Sequence, residues 1–87
     1  MKTEIKTHKF TATVEILDFL DSTWIQFVKF DPTTLKMDVT TRTGAVYRYQ
    51  GIGTDEFARL ICAESSGSYF NDRIKGQYRS KKLRKGA

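Results

Sequence analysis

The chain has 87 residues and a formal net charge of +5; 39% of its residues are hydrophobic and 13% are aromatic. This length fits a single domain, and the apolar and aromatic content is typical of a folded core rather than of a disordered chain. One cysteine and one histidine exclude an internal disulfide and a cysteine-based zinc site. No apolar run approaches the roughly twenty residues of a membrane-spanning helix, so we expect a cytoplasmic protein that uses no membrane, metal or cofactor.

The positive charge is concentrated at the C-terminal end. Residues 1–71 carry eight Lys and Arg against nine Asp and Glu, whereas residues 72–87 carry seven against one. A basic end on a near-neutral body is typical of proteins that bind a polyanion, such as nucleic acid, anionic lipid or an acidic protein surface. It is equally typical of a tail that serves only solubility, and the sequence leaves both interpretations open.

The N-terminal third predicts two strands. Residues 9–16 alternate strictly between apolar and polar side chains, which predicts a strand with one buried face. The positions expected to face inward are Phe10, Ala12, Val14 and Ile16. Residues 17–21 break the pattern and predict a turn or a short helical corner. Residues 24–30 are apolar on both faces, which predicts a central strand that is covered on two sides.

Two further strands are predicted on short turns. Asp31 and Pro32 indicate a turn, because the Asp side chain can cap it and Pro presets φ. Residues 35–40 alternate with one wet face. Gly44 can take a positive φ and close a hairpin, and residues 45–50 form the next strand. Consecutive strands on short turns predict an antiparallel meander.

A helix is predicted after the strands, because the apolar period changes from two to about 3.6 at Thr54. Thr54 is a good N-cap residue. The residues Phe57, Leu60 and Ile61 share one side and can dock the helix on the sheet. Gly67 is expected to end it as a C′ residue.

A second, shorter helix is predicted over residues 69–75, with Ser68 as its cap and with Phe70 and Ile74 packed inward. The predicted class is therefore α+β, with an antiparallel meander sheet of three or four strands, two helices on one face and a basic tail. Residues 1–78 are expected to form one domain, whose N-terminal extension at residues 1–21 adds a strand, and residues 79–87 are expected to form the solvated tail.

Five motifs in fixed order carry a resemblance to a known family. In this chain they are Ser22-Thr23-Trp24-Ile25, Phe30-Asp31-Pro32, Leu35-x-Met37-x-Val39, Gly44-Ala45-Val46-Tyr47-Arg48-Tyr49, and Ala63-Glu64-Ser65-Ser66-Gly67-Ser68-Tyr69-Phe70-Asn71 followed by Ile74 and Tyr78. Over residues 22–78 the chain resembles the KTSC domain, which occurs at the C-terminus of some lysyl-tRNA synthetases and as a free-standing small protein in bacteria and phages. Ser66 stands where that family commonly has Lys. The resemblance implies an RNA-binding role by association with the synthetase.

The residues themselves support a nucleic-acid-binding module, RNA or single-stranded, through two features. Cations near the C-terminus can neutralise phosphates, and the tyrosines of a strand can stack unpaired bases if they face solvent. If the tyrosines instead face the helices, they belong to the core and Arg48 is the exposed member. The candidate residues are Tyr47, Arg48, Tyr49, Arg73, Lys75, Arg79, Lys81, Lys82 and Arg84.

Two alternatives belong to other classes. A small-residue loop that opens a helix presents backbone N–H groups to an anion, so the chain could bind or sequester a nucleotide-like ligand. The candidates for this loop are Ser66, Gly67, Ser68, Asn71 and Arg73. The basic tail could also dock on an acidic protein. No catalytic constellation is present in the sequence, so we expect a protein that is not an enzyme.

Overall fold

The computed structural model describes residues 8–11, 14–19 and 22–86. Six strands form one antiparallel sheet in sequence order, with two helices and a π-helical segment inserted between the last two strands. The elements are β1 (His8–Thr11), β2 (Val14–Asp18), β3 (Ile25–Asp31), β4 (Lys36–Thr41), β5 (Val46–Gln50), α1 (Thr54–Cys62), α2 (Ser66–Tyr69), the π segment (Phe70–Ile74) and β6 (Ser80–Arg84). The α+β class and the meander are confirmed, but the sheet has six strands rather than three or four.

The N-terminal strand predicted over residues 9–16 is wrong, because this stretch contains parts of two strands. Thr11 lies opposite Val14, so β1 and β2 run antiparallel and the chain reverses between them. The predicted turn at residues 17–21 is also wrong in its first part, because β2 continues to Asp18. Leu17 is fully buried, whereas Ile16 is half-buried on the other face. Ala12, the side chain of Phe10, and residues 20 and 21 lie outside the described residues.

One face of the sheet carries the core and both helices. Phe30 of β3 stacks on Phe57 of α1 with ring centroids 4.5 Å apart, and Leu60 is fully buried beside it. Ile61 packs against the same cluster, so the predicted docking of α1 is confirmed. The fully buried core residues are Leu17, Phe19, Ile25, Val28, Phe30, Met37, Val39, Ile52, Leu60, Phe70 and Ile74.

The other face, which we call the open face, has no described helix on it. Its register rows bring together half-buried apolar side chains, such as Phe27 and Val46, with charged residues of every strand from β2 to β6. The predicted two-sided cover of β3 is therefore not seen among the described residues. A register shift between Ile25 and Phe27 also places Ile25 in the core with Val28, although residues three apart lie on opposite faces of a regular strand.

The conformations of the turns are set by side-chain capping and by residues with positive φ. The backbone N–H of Thr33 donates to Asp31 Oδ1 at 2.8 Å, which confirms the capping role of that Asp. Gly44 has φ of 96°, as the predicted hairpin turn requires. Leu35 has φ of 58°, a left-handed conformation that is uncommon for a residue with a side chain.

The helical region differs from the prediction at its junctions. Gly53 rather than Thr54 occupies the N-cap position of α1. The cap of α2 is Ser65, whose Oγ accepts from the backbone N–H of Ser68, and Gly67 lies inside α2 rather than ending α1. Below α2 the helix widens into the π segment, where the N–H of Lys75 donates to the carbonyl of Phe70 at 2.8 Å. Phe70 and Ile74 are fully buried, as predicted.

The predicted solvated tail is the clearest correction. Residues 80–84 form β6, an edge strand that pairs with β5, with Lys82 opposite Tyr47 and Lys81 opposite Arg48. All five side chains of β6 are exposed, so backbone hydrogen bonds hold the strand and apolar burial contributes little. Among the described residues, no helix is long or apolar enough to cross a membrane, and no three His, Cys, Asp or Glu side chains cluster as metal ligands would.

Candidate nucleic-acid interface

Trp24 lies in a short turn that leads into β3. Ser22 Oγ accepts hydrogen bonds from the backbone N–H groups of Trp24, at 3.3 Å, and Ile25, at 3.0 Å, and so fixes the turn. The indole ring is half-buried and packs against Phe70 of the π segment, with centroids 5.7 Å apart. The ring is therefore anchored on one side by the core while part of it remains accessible.

Arg42, in the turn between β4 and β5, also stabilises the Trp24 turn, through hydrogen bonds to backbone carbonyls. Its Nε donates to the carbonyl of Ser22 at 2.9 Å, and its Nη2 donates to the carbonyl of Phe19 at 2.6 Å. Its backbone N–H donates to the carbonyl of Trp24 at 2.9 Å. Hydrogen bonds that involve a charged donor are the stronger kind, so Arg42 positions the loop that carries Trp24.

Tyr47 of β5 is a second accessible ring on the same side of the sheet. Lys82 Nζ lies 5.5 Å from the centroid of Tyr47, and Lys75 Nζ lies 4.8 Å from the centroid of Trp24. Both lysines are exposed, so the ring faces they cover can be reached from solvent. Cation–π contacts at exposed sites are worth only about 0.5–1 kcal/mol, which means that a ligand can displace either ammonium group.

Two shallow pockets flank Trp24, and we call them together the Trp24 groove. The first, of about 280 Å³, lies between the two rings and is lined by Thr23, Trp24, Thr41, Arg42, Thr43, Ala45 and Tyr47. The second, of about 180 Å³, is lined by Ser22, Thr23, Trp24, Ser65, Gly67, Ser68 and Asn71. The first pocket is mainly apolar and aromatic, whereas hydroxyl and amide groups dominate the second.

The structure separates the predicted nucleic-acid residues into three groups. Tyr47, Lys75 and Lys82 meet at the Trp24 groove. Tyr49 is only 6% exposed and makes an edge-to-face contact with Phe70 at 5.3 Å, so the expectation of exposed tyrosines is wrong for this ring. Burial, opposed by a hydrogen bond with Ser80, raises its pKa. As the alternative interpretation predicted, Tyr49 belongs to the core.

The remaining predicted cations lie elsewhere. Arg48 is on the open face, where its Nε and Nη2 donate to the two oxygens of Asp38 at 2.8 and 3.1 Å. That ion pair raises the pKa of Arg48. Lys81 and Arg84 are exposed on the same side as Arg48, Arg79 precedes β6, and Arg73 is exposed on the π segment.

The structure excludes Ser66 from the predicted anion-binding loop. Ser66 is fully buried and its Oγ donates to the carbonyl of Leu60 at 3.0 Å, so it cannot contact a ligand. The backbone N–H of Ser68 already donates to Ser65 Oγ. Gly67, Ser68 and Asn71 nevertheless line the second pocket of the Trp24 groove, so the residues of the two functional interpretations converge on one surface.

Sequence reasoning missed eight groove residues: Ser22, Thr23, Trp24, Thr41, Arg42, Thr43, Ala45 and Ser65. Five of them belong to the motifs of the resemblance, namely Ser22, Thr23, Trp24, Ala45 and Ser65. The apolar pattern places Trp24 in a strand, and neither charge nor aromatic content marks the other four. The contact between Lys75 and Trp24 joins residues 51 positions apart in the chain. No periodicity or spacing reports such a contact.

Glu56 of α1 holds the helical region together beside this surface. The hydroxyls of Tyr69 and Tyr78 both donate to its carboxylate, the latter at 2.9 Å. The hydrogen bond to Glu56 is the main cause that raises the pKa of Tyr69 above 10.0. Burial, followed by the same carboxylate, raises the pKa of Tyr78.

These tyrosines predict an alkaline loss of stability. Because their pKa values are raised in the folded state, their contribution is fully present below about pH 10 and is lost as the pH rises through the folded values. We expect the urea midpoint to fall as the pH rises above about 10, and to fall less in the Tyr69→Phe/Tyr78→Phe double variant. All other titratable groups are the same in both proteins, so the difference between their urea midpoints isolates the two tyrosines. Equal falls in the two proteins would contradict the assignment.

The motifs around the groove match a known family. The sequence model of the KTSC domain matches residues 21–78. The crystal structure of a KTSC domain protein from Yersinia pestis superposes with a TM-score of 0.66 at 21% identity, over 92% of this chain and 100% of that one. At this identity the likeness shows the fold alone. No curated protein matches the sequence.

Proposed function

Because the chain belongs to the KTSC domain family, and because three of its five family motifs contribute residues to the Trp24 groove, we propose that it is a non-enzymatic module that binds single-stranded nucleic acid there. One observation carries the proposal. Two neighbouring accessible rings, Trp24 and Tyr47, flank a common pocket, and an exposed lysine ammonium lies over each ring. Stacking surfaces beside mobile cations are what unpaired bases and their phosphates require.

The physical basis is an exchange of partners. A base that stacks on Trp24 or Tyr47 replaces the ammonium group over the ring, and base–aromatic stacking is worth about 1–3 kcal/mol per base. Lys75 and Lys82, once displaced, remain within reach of the phosphates on either side. In a duplex the base faces are already stacked on each other, so the groove selects single strands. We place this activity in the cytoplasm of a bacterial or phage-infected cell.

A second candidate ligand is a free nucleotide. The small pocket beside Trp24 offers Ser68 and Asn71, together with Gly67, around one aromatic ring. A single base stacked on Trp24 can present its edge to these groups, as recognition of unpaired bases commonly requires. This candidate shares the ring with the first and differs in needing no phosphate backbone, so mononucleotides distinguish the two.

The test uses Trp24 fluorescence, since Trp24 is the single tryptophan of the chain. We expect an oligonucleotide of about four nucleotides to quench its emission at low salt, and Lys82→Ala to weaken binding and reduce the salt slope by about 0.7. Lys81→Ala is the matched control, because Lys81 is next to Lys82 on β6 but faces the other side of the sheet. We expect Lys81→Ala to bind like the wild type.

Four outcomes decide between the two candidate ligands and test the proposal itself. Quenching by the oligonucleotide that Lys82→Ala alone weakens supports the single-strand site. Quenching by a mononucleotide as strong as that by the oligonucleotide supports the nucleotide candidate. An absence of quenching by either ligand at low salt overturns the proposal, as does equal weakening by Lys81→Ala and Lys82→Ala.

A further inference from the structure

The open face carries a group of cations that the Trp24 groove does not use. Arg48 and Lys81 lie directly opposite each other on β5 and β6, and Arg84 lies opposite Val46 on the same face. We call Arg48, Lys81 and Arg84 the open-face cluster. Like charges directly opposite across a strand pair are destabilising, so the fold tolerates an unfavourable arrangement here.

The cluster is only partly neutralised. Arg48 is paired with Asp38, but among the described residues no carboxylate lies within ion-pair distance of Lys81 or Arg84. Both side chains are exposed at the edge of the sheet. On the same face a cavity of about 330 Å³ is lined by Lys29, Lys36 and Arg48, but Asp31 and Asp38, the partner of Arg48, also line it. The carboxylates make that cavity a poor phosphate site and leave the margin at β6 as the basic surface.

β6 joins this cluster to the groove. Side chains alternate across a strand, so Lys82 faces Tyr47 in the groove while Lys81, its neighbour, faces the open side. Arg79 and Lys85 extend the positive charge at both ends of the strand, and all of these side chains are exposed. A second copy of the chain is a poor occupant of this edge, because pairing two such strands brings lysines and arginines together.

We propose that a single strand longer than the groove crosses the edge strand β6 and places its phosphates on the open-face cluster. This inference rests on the proposed function and divides the interface into two parts. The groove supplies base stacking and the phosphate contacts of Lys75 and Lys82, whereas the cluster supplies further phosphate contacts, so the salt slope is steeper for a strand that reaches both. The ligand is then a polynucleotide strand rather than a mononucleotide or a short fragment.

The test compares oligonucleotides of about four and about sixteen nucleotides, the limits of typical single-strand site sizes. For the longer strand we expect Lys81→Ala/Arg84→Ala to lower affinity and to reduce the salt slope by about 1.4, which is about 0.7 for each lost phosphate contact. For the shorter strand we expect no change. Both residues are exposed, so the variant should fold, and circular dichroism checks that it does. Arg48 is left intact because its ion pair with Asp38 contributes to the sheet.

The two proposals fail in different ways. If the short strand quenches Trp24 but the double variant leaves the slope for the long strand unchanged, the extended path is overturned and the groove stands. If the long strand binds through Lys81 and Arg84 while Trp24 emission stays constant, the groove is overturned, and with it the path that crosses β6. If neither strand binds at low salt, both proposals are overturned.

Discussion

Replacement of Phe70 by alanine is expected to lower the free energy of unfolding by about 3–5 kcal/mol, the usual range for truncation of a buried Phe. Phe70 is fully buried in the first turn of the π segment. Its ring centroid lies 5.3 Å from that of Tyr49, in an edge-to-face arrangement, and 5.7 Å from that of Trp24, so it joins the sheet, the helical region and the groove. The substitution removes both contacts and leaves a cavity. The total free energy of unfolding of a domain of this size is only about 5–15 kcal/mol.

The matched control is Phe27→Ala, the same chemical change on the half-buried open face. Urea unfolding should give a clearly smaller loss of unfolding free energy for Phe27→Ala, because the Phe27 ring is only half-buried in the folded protein. If Phe70→Ala fails to fold, Phe70→Leu keeps most of the volume and should show an intermediate loss. We also expect Trp24 emission to shift to longer wavelength in the Phe70 variants, since the indole loses its inner contact. Equal losses for Phe70→Ala and Phe27→Ala would contradict the central position of Phe70.

Local periodicity predicts the parts of this fold that apolar burial decides. The period of two in residues 35–50 gives β4 and β5, and the period of about 3.6 after Thr54 gives α1 with Phe57 and Leu60 inward. Phe70 and Ile74 are buried for the same reason. The exception is Leu35, which the period of two groups with Met37 and Val39 but which precedes β4 and is exposed.

The parts that periodicity misses are held by other forces. β6 contains five exposed residues, and only its backbone pairing with β5 makes it a strand. Hydrophobic patterns carry no signal for such a strand, so a basic sequence looks like a tail. The hairpin of β1 and β2 was missed because alternation continues across the reversal between Thr11 and Val14. The π segment depends on shifted backbone hydrogen bonds, such as the one from Lys75 to Phe70, which side-chain spacing does not report.

Local periodicity also fails to predict the candidate site. Its residues come from four distant stretches of the chain, and the sheet and the helical region bring them together only in the folded protein. The sequence identified Tyr47, Lys75 and Lys82 as candidates through charge and aromatic content. It could not identify Trp24 as their partner, because a tryptophan at the start of an apolar strand is typical of core.

Replacement of Trp24 by leucine should therefore separate the groove from a general basic surface. We expect affinity for an oligonucleotide of about four nucleotides to fall about 5–150-fold, which corresponds to a loss of about 1–3 kcal/mol of stacking. Leucine keeps apolar volume against Phe70, and no charge changes, so electrostatic attraction is unaltered. The substitution removes the fluorophore, so binding is measured by the anisotropy of a labelled oligonucleotide, and urea unfolding confirms the fold.

Phe27→Leu is the matched control, because it removes a half-buried aromatic ring from the open face without changing charge. It should bind the short oligonucleotide like the wild type, and Trp24→Phe should retain part of the affinity because it keeps a stacking face. The salt slope is the decisive second readout. Loss of stacking lowers affinity equally at all salt concentrations, whereas loss of a phosphate contact changes the slope. If Trp24→Leu binds as tightly as the wild type, then charge alone holds the strand, and the Trp24 groove is not its site.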